Sequence, residues 1–416
     1  MNRGERLRLT IERPAAGGRM IARHEGAIVF VAGAIPGEVV DADIEKVQRG
    51  TAWAIARDIL QPSPDRIDGV PDGACGGSVL AHINYQRQRS LKAEIIVDAF
   101  RRLGRITLDQ PIAVTGSPVD GYRMRARLHV RGGRIGFFRE GTHSLCEAGP
   151  TRQLRADTIE ALSELERSVS ALERPTVSEI ELSENVDATE RALHLELVEN
   201  ADPSRLGTLT KIAGFTGVTC APLDHPRTME LWGSPLVTDR IGGATLTRHT
   251  RSFFQGNRYL LTPLVEHVTG VMGDPGSEVL DLYAGVGLFS VSAAVAGHAP
   301  VIAVEGDRFS ADDLRRNADG HDITVSVGAV EKFLERAPSG VSTVIVDPPR
   351  TGMSKDAIAG VIRLKADRLV YVSCDIATLA RDARVLIDAG YRLTSAQAFD
   401  LFPNTAHVET VIAFAR

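Results

Sequence analysis

Apolar and polar positions alternate with period two from Leu7 to Ile11, and again in parts of Ala27–Val31 and Val39–Ile44. Such alternation predicts strands with one buried face. Gly17-Gly18, Gly33 and Pro36-Gly37 supply turns between them, so residues 1–60 read as a small β-barrel of the OB type, a frequent oligonucleotide platform. A linker rich in proline and glycine follows over 61–73. Helical periodicity then runs from Tyr85 to Leu103, and two strands joined by Gly132-Gly133 occupy 121–138. An acidic amphipathic helix over 151–174 (Leu154, Ile159, Leu162, Leu165, Val169, Leu172) reads as an outer face. Strand-like runs recur at 178–183, 192–198, 207–213 and 243–248, which makes 61–248 a central α+β unit.

From about residue 250 the texture becomes strand–helix alternation. Helices are predicted over Tyr259–Met272, Phe289–Val295 and Ala311–Asn317. Strands are predicted over Glu278–Leu282, Val301–Val304, Ser342–Val346, Arg368–Val372 and Asn404–Phe414. This alternation predicts a doubly wound, mostly parallel sheet, a Rossmann-like C-terminal domain over 249–416, and an α/β fold class for the whole chain. No apolar run is long enough to span a bilayer and the N-terminus is polar, so the expectation is a cytoplasmic protein with no membrane partner.

Charge changes the picture locally. The net charge of −5 argues against a nucleic-acid binder, but residues 83–139 hold twelve basic and four acidic side chains, a local +8. Residues 156–202 hold thirteen acids and three arginines, a local −10. Phosphate responds to the local field. With period two, Arg123, Arg125 and Arg127 share one face and form a candidate strip for RNA contacts. The four cysteines, 75, 146, 220 and 374, show no paired spacing, which reads as thiols in a reducing compartment rather than a disulfide framework.

Candidate chemistry gathers where strands end. Cys374 follows the strand Arg368–Val372 and opens a helix, a position where α/β sheets place ligands and where a helix N-terminus lowers a thiol pKa. Asp281-Leu-Tyr-Ala-Gly-Val-Gly287 is a tight glycine turn after a strand, without the full Gly-x-Gly-x-x-Gly spacing of a dinucleotide enzyme. Glu305 ends the next strand and suits a pair of ribose hydroxyls. Asp347-Pro-Pro-Arg350 is a stiff loop after an apolar strand.

Five motifs occur in order: Phe253-Phe-Gln-Gly-Asn257, Asp281–Ser290, Asp347-Pro-Pro-Arg-Thr-Gly352, Ser373-Cys-Asp-Ile-Ala-Thr-Leu-Ala-Arg-Asp382 and His407-Val-Glu-Thr-Val411. The series resembles the RNA (uracil-5-)-methyltransferase family, TrmA/RumA type, and Gly17–Glu38 resembles the TRAM domain of RNA-modifying enzymes. The resemblance implies S-adenosylmethionine-dependent methyl transfer to uridine C5 in ribosomal or transfer RNA. By that resemblance Cys374 is the nucleophile and Glu409 the base, while Gln255, Tyr283, Glu305 and Asp347 bind the cofactor. Arg350 is expected to help hold the RNA or its own loop. Alternatives are methyl transfer to another substrate, or an RNA-binding module without catalysis. The partner is RNA, and no obligate protein partner is expected.

Three departures from the family pattern stand out. Many relatives hold an iron–sulfur cluster in Cys-x5-Cys-x2-Cys plus a later cysteine; here Gly69 and Ser78 flank Cys75, with Cys146 at the fourth place. Two thiolates do not replace four, so no cluster and no metal are expected. Ile376 stands where the catalytic motif usually has proline, and is expected to loosen that loop. Gly328-Ala329 occupies the place of an acid near the adenine, with an altered cofactor affinity as the expected result.

Overall fold

Five strands close an N-terminal barrel: β1 (Arg6–Pro14), β2 (Met20–His24), β3 (Ala27–Ala32), β4 (Val39–Gln48) and β5 (Thr51–Gln61). Leu7, Leu9 and Ile11 of β1 point inward, and Arg6 and Arg8 pair outside with Asp43 and Asp41 of β4. This computed structural model describes residues 1–416 except 70–71, 173, 210–211, 223–227 and 338, with backbone alone at 204, 207 and 208. The expected linker is anchored to the barrel, because Arg66 meets the fully buried Glu38 at 2.6 Å. Residues 70–71 of that linker lie outside the described residues.

The chain continues into α1 (Tyr85–Ala99), capped by the Asn84 side chain, then a π-helical turn over Phe100–Gly104. The short strand β6 (Ala113–Thr115) follows. Beyond it lies a seven-stranded central sheet. Its strands are β7 (Arg125–Arg131), β8 (Arg134–Phe138), β9 (Leu145–Glu147), β10 (Val177–Glu184), β11 (Arg191–Leu197), β12 (Gly217–Pro222) and β13 (Met229–Gly233). The helix α2 (Ala156–Ser170) lays Ala161, Leu162, Leu165 and Val169 on this sheet. Among its described residues, 207–213 holds no strand: a 3-10 helix covers Pro203–Thr208, and Leu209 and Ile212 are buried outside any strand; residues 210–211 lie outside the described ones.

One charge expectation is revised here and one cysteine expectation is overturned. β7 pairs antiparallel with β10, which sets Arg127 opposite Glu181 and His129 opposite Glu179. Arg127 reaches Glu181 at 2.7 Å and Arg125 reaches it at 3.4 Å. Arg123 lies outside β7, with Nε donating to the Arg125 carbonyl and the guanidinium between the Phe137 and Phe402 rings. Two members of the expected arginine strip, Arg125 and Arg127, are therefore paired with Glu181 of the acidic block, and Arg127 stays exposed beside it. Cys75 and Cys146 form a disulfide, contrary to the reading of four separate thiols. The bridge from Cys75 to Arg139, and the pairing of Cys146 with Phe137 across β8 and β9, bring together residues 71 apart in sequence.

A hairpin of β14 (Leu236–Ile241) and β15 (Ala244–His249) leads into α3 (Leu261–Val271) and the large sheet. Its parallel strands are β16 (Val279–Leu282), β17 (Val301–Glu305), β18 (Ile323–Val327), β19 (Thr343–Val346) and β20 (Arg368–Ser373). The helices α4 (Leu288–Val295), α5 (Arg308–Ala318), α6 (Val330–Leu334), α7 (Lys355–Leu364) and α8 (Ile376–Asp388) alternate with them. Two more strands, β21 (Arg392–Phe399) and β22 (Glu409–Ala415), complete the order β18-β17-β16-β19-β20-β22-β21-β6. The expected strand 404–414 thus begins five residues late, because 400–408 is a folded loop held by side chains of α1. β6, from the stretch expected as central, is hydrogen-bonded into this sheet beside β21. Ile96 and Phe100 pack with Leu379 and Ala383 of α8 in one core, so α1 covers one face of the sheet.

A buried ionic knot joins the central sheet to this unit. Glu184 is fully buried, accepts from Thr158 and Arg191, and meets Arg258 Nη2 at 2.5 Å. Glu184→Ala leaves two buried guanidiniums short of their carboxylate, and is expected to lower stability by about 3–5 kcal/mol in denaturant unfolding. Unchanged stability would show that the backbone carbonyls around Arg191 and Arg258 suffice.

Candidate active site

The site lies at the carboxyl ends of β16, β17, β19 and β20, where the order of a doubly wound sheet reverses. Cys374 follows β20 directly. Ser373 pairs with Thr410 of antiparallel β22, and one step further in that register sets Cys374 level with Glu409. Two distant motifs thereby meet on adjacent strands. Asp375 caps α8 by accepting from Thr378 N at 2.9 Å, and Ser373 Oγ accepts from Asp375 N at 3.1 Å. Ile376 is the first helical residue, where proline is tolerated but not required. These bonds tie the loop to the first turn of α8.

Asp347 follows β19, one strand over, and accepts from Gln255 Nε2 at 3.4 Å. Gln255 comes from the segment before α3, so the glutamine and the aspartate expected at one site are together. Tyr283 ends β16 with φ +64, and Gly285 and Gly287 turn the chain into α4. Glu305 ends β17 and accepts from Gly285 N at 2.7 Å and Asp307 N at 2.6 Å. Beside this carboxylate, a side chain added at Gly285 or Gly328 would meet no atom within 4 Å. The space expected to hold an acid at Gly328-Ala329 is open.

The electrostatics follow from burial. Asp281 is fully buried; Oδ2 accepts from Ser290 Oγ at 2.5 Å, while Oδ1 has no hydrogen-bond partner among the described residues. Burial pushes its carboxyl up to about 7. Asp347 is raised well above the usual carboxylate range by burial, then by Glu409 and Asp281. Burial also raises Glu409, to about 7, with Arg350 pulling the other way. The Cys374 thiol is pushed up to about 11 by burial and then by Glu409 and Asp347, and Arg350 offsets part of this. The thiol is thus raised, not lowered as its place at a helix start suggests, because burial acts first and the nearby carboxylates add to it. Arg350 itself is exposed.

A cluster of carboxyls with raised pKa values, beside the open space at Gly285 and Gly328, fits a cationic ligand such as S-adenosylmethionine, whose positive charge would favour their ionised forms. Iron–sulfur ligation does not fit. Cys75 and Cys146 are bonded to each other, and among the described residues no group of three or more His, Cys, Asp or Glu could hold a metal.

Sequence reasoning missed several residues here. A cleft of about 450 Å³ opens beside Cys374, and Gly17 of the barrel, Cys75, Lys92 of α1 and His407 line it. Lys92 had been part of a basic stretch only. Asp281 was quoted in a motif without a place in the site, although an acid ending an apolar strand was the available signal.

The fold and these residues define a Rossmann-like methyltransferase unit that pairs a thiol with a buried carboxyl and carries a barrel in front. A family model described as tRNA (Uracil-5-)-methyltransferase matches residues 336–416, and the TRAM domain model matches residues 1–56. The 23S rRNA (uracil(1939)-C(5))-methyltransferase RlmD of Alkalilimnicola ehrlichii is 33% identical, covering 96% of this chain and 94% of that one. The RlmD protein of Pseudomonas entomophila is 30% identical over 99% of this chain and 94% of its own. The crystal structure of Pyrococcus abyssi tRNA (uracil-54, C5)-methyltransferase in complex with S-adenosyl-L-homocysteine shares the fold with TM-score 0.78 at 24% identity, covering 98% of this chain and 99% of that one. The chain belongs to the RNA (uracil-5-)-methyltransferase family and is an enzyme. Among the described residues no helix is long and apolar enough to cross a membrane.

Two outcomes follow from the raised pKa values. Without ligands, alkylation of Cys374 by iodoacetamide, read by peptide mapping, is expected to be slow at about pH 7 and to climb through about pH 10; a plateau already at neutral pH would contradict the buried, acid-flanked thiol. A carboxyl with a raised folded pKa subtracts stability once pH exceeds its unfolded value. Glu409→Gln is therefore expected to raise the melting temperature at about pH 8 and to give no gain at about pH 3, where the glutamate is protonated in both states. An equal gain at both pH values would exclude ionisation as the cause.

Proposed function

We propose that the protein methylates C5 of a uridine in RNA, with S-adenosylmethionine as methyl donor, and that the large-subunit ribosomal RNA is the first substrate to test. The observation that supports this reading most is Cys374 set level with Glu409 across β20 and β22, with Asp347 on the next strand. Full-length relatives named as 23S rRNA methyltransferases favour the ribosomal substrate over transfer RNA.

Uracil C5 is a poor nucleophile, and the pairing of thiol and carboxyl addresses that. The Cys374 thiolate adds to C6, and the electrons of the C5–C6 double bond move into the C4 carbonyl, so C5 gains carbanion character. Arg350, exposed beside the thiol, favours the anion that addition requires. Bound S-adenosylmethionine supplies an electrophilic methyl group to that carbon; Gln255, Tyr283, Glu305 and Asp347 would hold it, with the Glu305 carboxylate suited to ribose hydroxyls. Glu409 then removes the C5 proton, the double bond reforms, and the thiolate leaves C6. A base buried to a pKa near the working pH suits this last step, because it accepts the proton and releases it readily. The uridine must leave its stack to bring C6 to the thiol. The barrel and the cleft beside Cys374 would hold the flanking RNA by shape and backbone contacts.

Incubation with methyl-labelled cofactor and unmodified ribosomal or transfer RNA, followed by nucleoside mapping, is expected to give 5-methyluridine; label on another nucleoside would overturn the reading. Glu409→Gln should lower kcat by about 10²–10⁴-fold and accumulate a covalent RNA adduct, whereas Cys374→Ala should form none. Turnover by Cys374→Ala would exclude covalent catalysis.

A further inference from the structure

Lys92 and Gln88 stand one turn apart on α1, and both are buried. Their partners lie more than 300 residues away, in the loop between β21 and β22. Lys92 Nζ donates to Asp400 Oδ1 at 2.5 Å and to the Phe402 carbonyl at 3.2 Å. Gln88 exchanges two hydrogen bonds with Asn404: Nε2 donates to Oδ1 at 2.9 Å, and Asn404 N donates to Oε1 at 3.0 Å. Lys92 and Asp400 are both fully buried, and among the described residues Asp400 Oδ2 has no hydrogen-bond donor.

An ion pair this dry is weak evidence for stability, because desolvation of both charges offsets their attraction. What it does supply is one defined loop conformation, and the loop's neighbours show what that conformation serves. Phe399, next to Asp400, is the cross-strand partner of Glu409. Phe402 lies beneath the Gln255 segment, 3.3 Å from where a Cβ on Gly256 would sit, and under the Arg123 guanidinium. The loop then runs through Thr405 and His407 into Glu409. By contrast, Cys374 is fixed by β20 and the Asp375 cap of α8, which Lys92 and Gln88 do not touch.

We infer that Lys92 and Gln88 are positioning residues for Glu409: they lock the 400–405 loop so that the carboxyl starting β22 meets the C5 proton, and they leave the thiol unaffected. The inference rests on the reading of Glu409 as the base. It makes the elimination step depend on a helix outside the methyl-transfer motifs, and it gives α1 a part in the reaction as well as in packing.

The test is the double variant Lys92→Met/Asp400→Leu, in which apolar groups of similar size replace both charges and folding is expected to survive. Measured on full-length protein at saturating RNA, kcat should fall about 10–100-fold. The covalent RNA adduct should accumulate on denaturing gels, as it does for Glu409→Gln. Unchanged kcat would overturn the inference, and so would lost turnover without adduct, since the defect would then precede elimination. Should the double variant fail to fold, Gln88→Leu, which removes only the Asn404 contacts, should show the same adduct with a smaller loss of kcat; parental kinetics there would overturn the inference. Absence of adduct in Glu409→Gln itself would strike the reading of the base instead, and so separates the two failures.

Discussion

The last strand of the chain runs between β20 and β21, and the arrangement of the site depends on that insertion. β22 is antiparallel to β20, so its first residue lies beside the residue that follows β20. A parallel strand in this place would carry its start to the opposite edge of the sheet, away from the ligand side. The antiparallel course sets Glu409 against Cys374 with backbone hydrogen bonds on both flanks, and little freedom remains for either group to drift. Precision comes from the ladder rather than from any bond between the two side chains.

The same insertion concentrates carboxyls. Glu409 and Asp281 are buried and Asp347 is half-buried between their strands, and each is harder to ionise for it. An empty site of this kind is poised to accept positive charge, and it keeps the thiol protonated until the carboxyls are neutralised or offset. The thiol and the three carboxyls thus share one local field, and perturbed pKa values gathered in this way are characteristic of functional sites.

The charge blocks of the sequence have a different meaning once folded. The basic block and the acidic block meet as neighbouring strands β7 and β10, where Arg127, Arg125, Glu181 and Glu179 neutralise one another. Two of the twelve basic residues of the +8 stretch, Arg125 and Arg127, are thereby neutralised across the sheet. Cys75 and Cys146 likewise tie the loop after the barrel to the β8–β9 hairpin, and the loop reaches the cleft beside Cys374. The wall facing the thiol is thus built from the barrel, that loop and α1 together.

Local pattern alone determined the period-two barrel, the alternating strands and helices after residue 250, and the strand ends that carry Cys374, Glu305 and Asp347. These follow from backbone periodicity and from the rule that ligands sit at carboxyl ends, both of which act over short stretches of chain. The pairing of β7 with β10 was not legible, because cross-strand partners at a separation of about fifty residues leave no periodic trace. The late start of β22 was hidden for a similar reason: Gln88 claims the polar groups of Asn404, and Lys92 holds Asp400 and the Phe402 carbonyl just before it, so the chain stays a loop up to Glu409. The disulfide, the raised thiol pKa and the role of α1 came only from tertiary structure, since burial and the sign of neighbouring charge are properties of packed surroundings that no window of sequence contains.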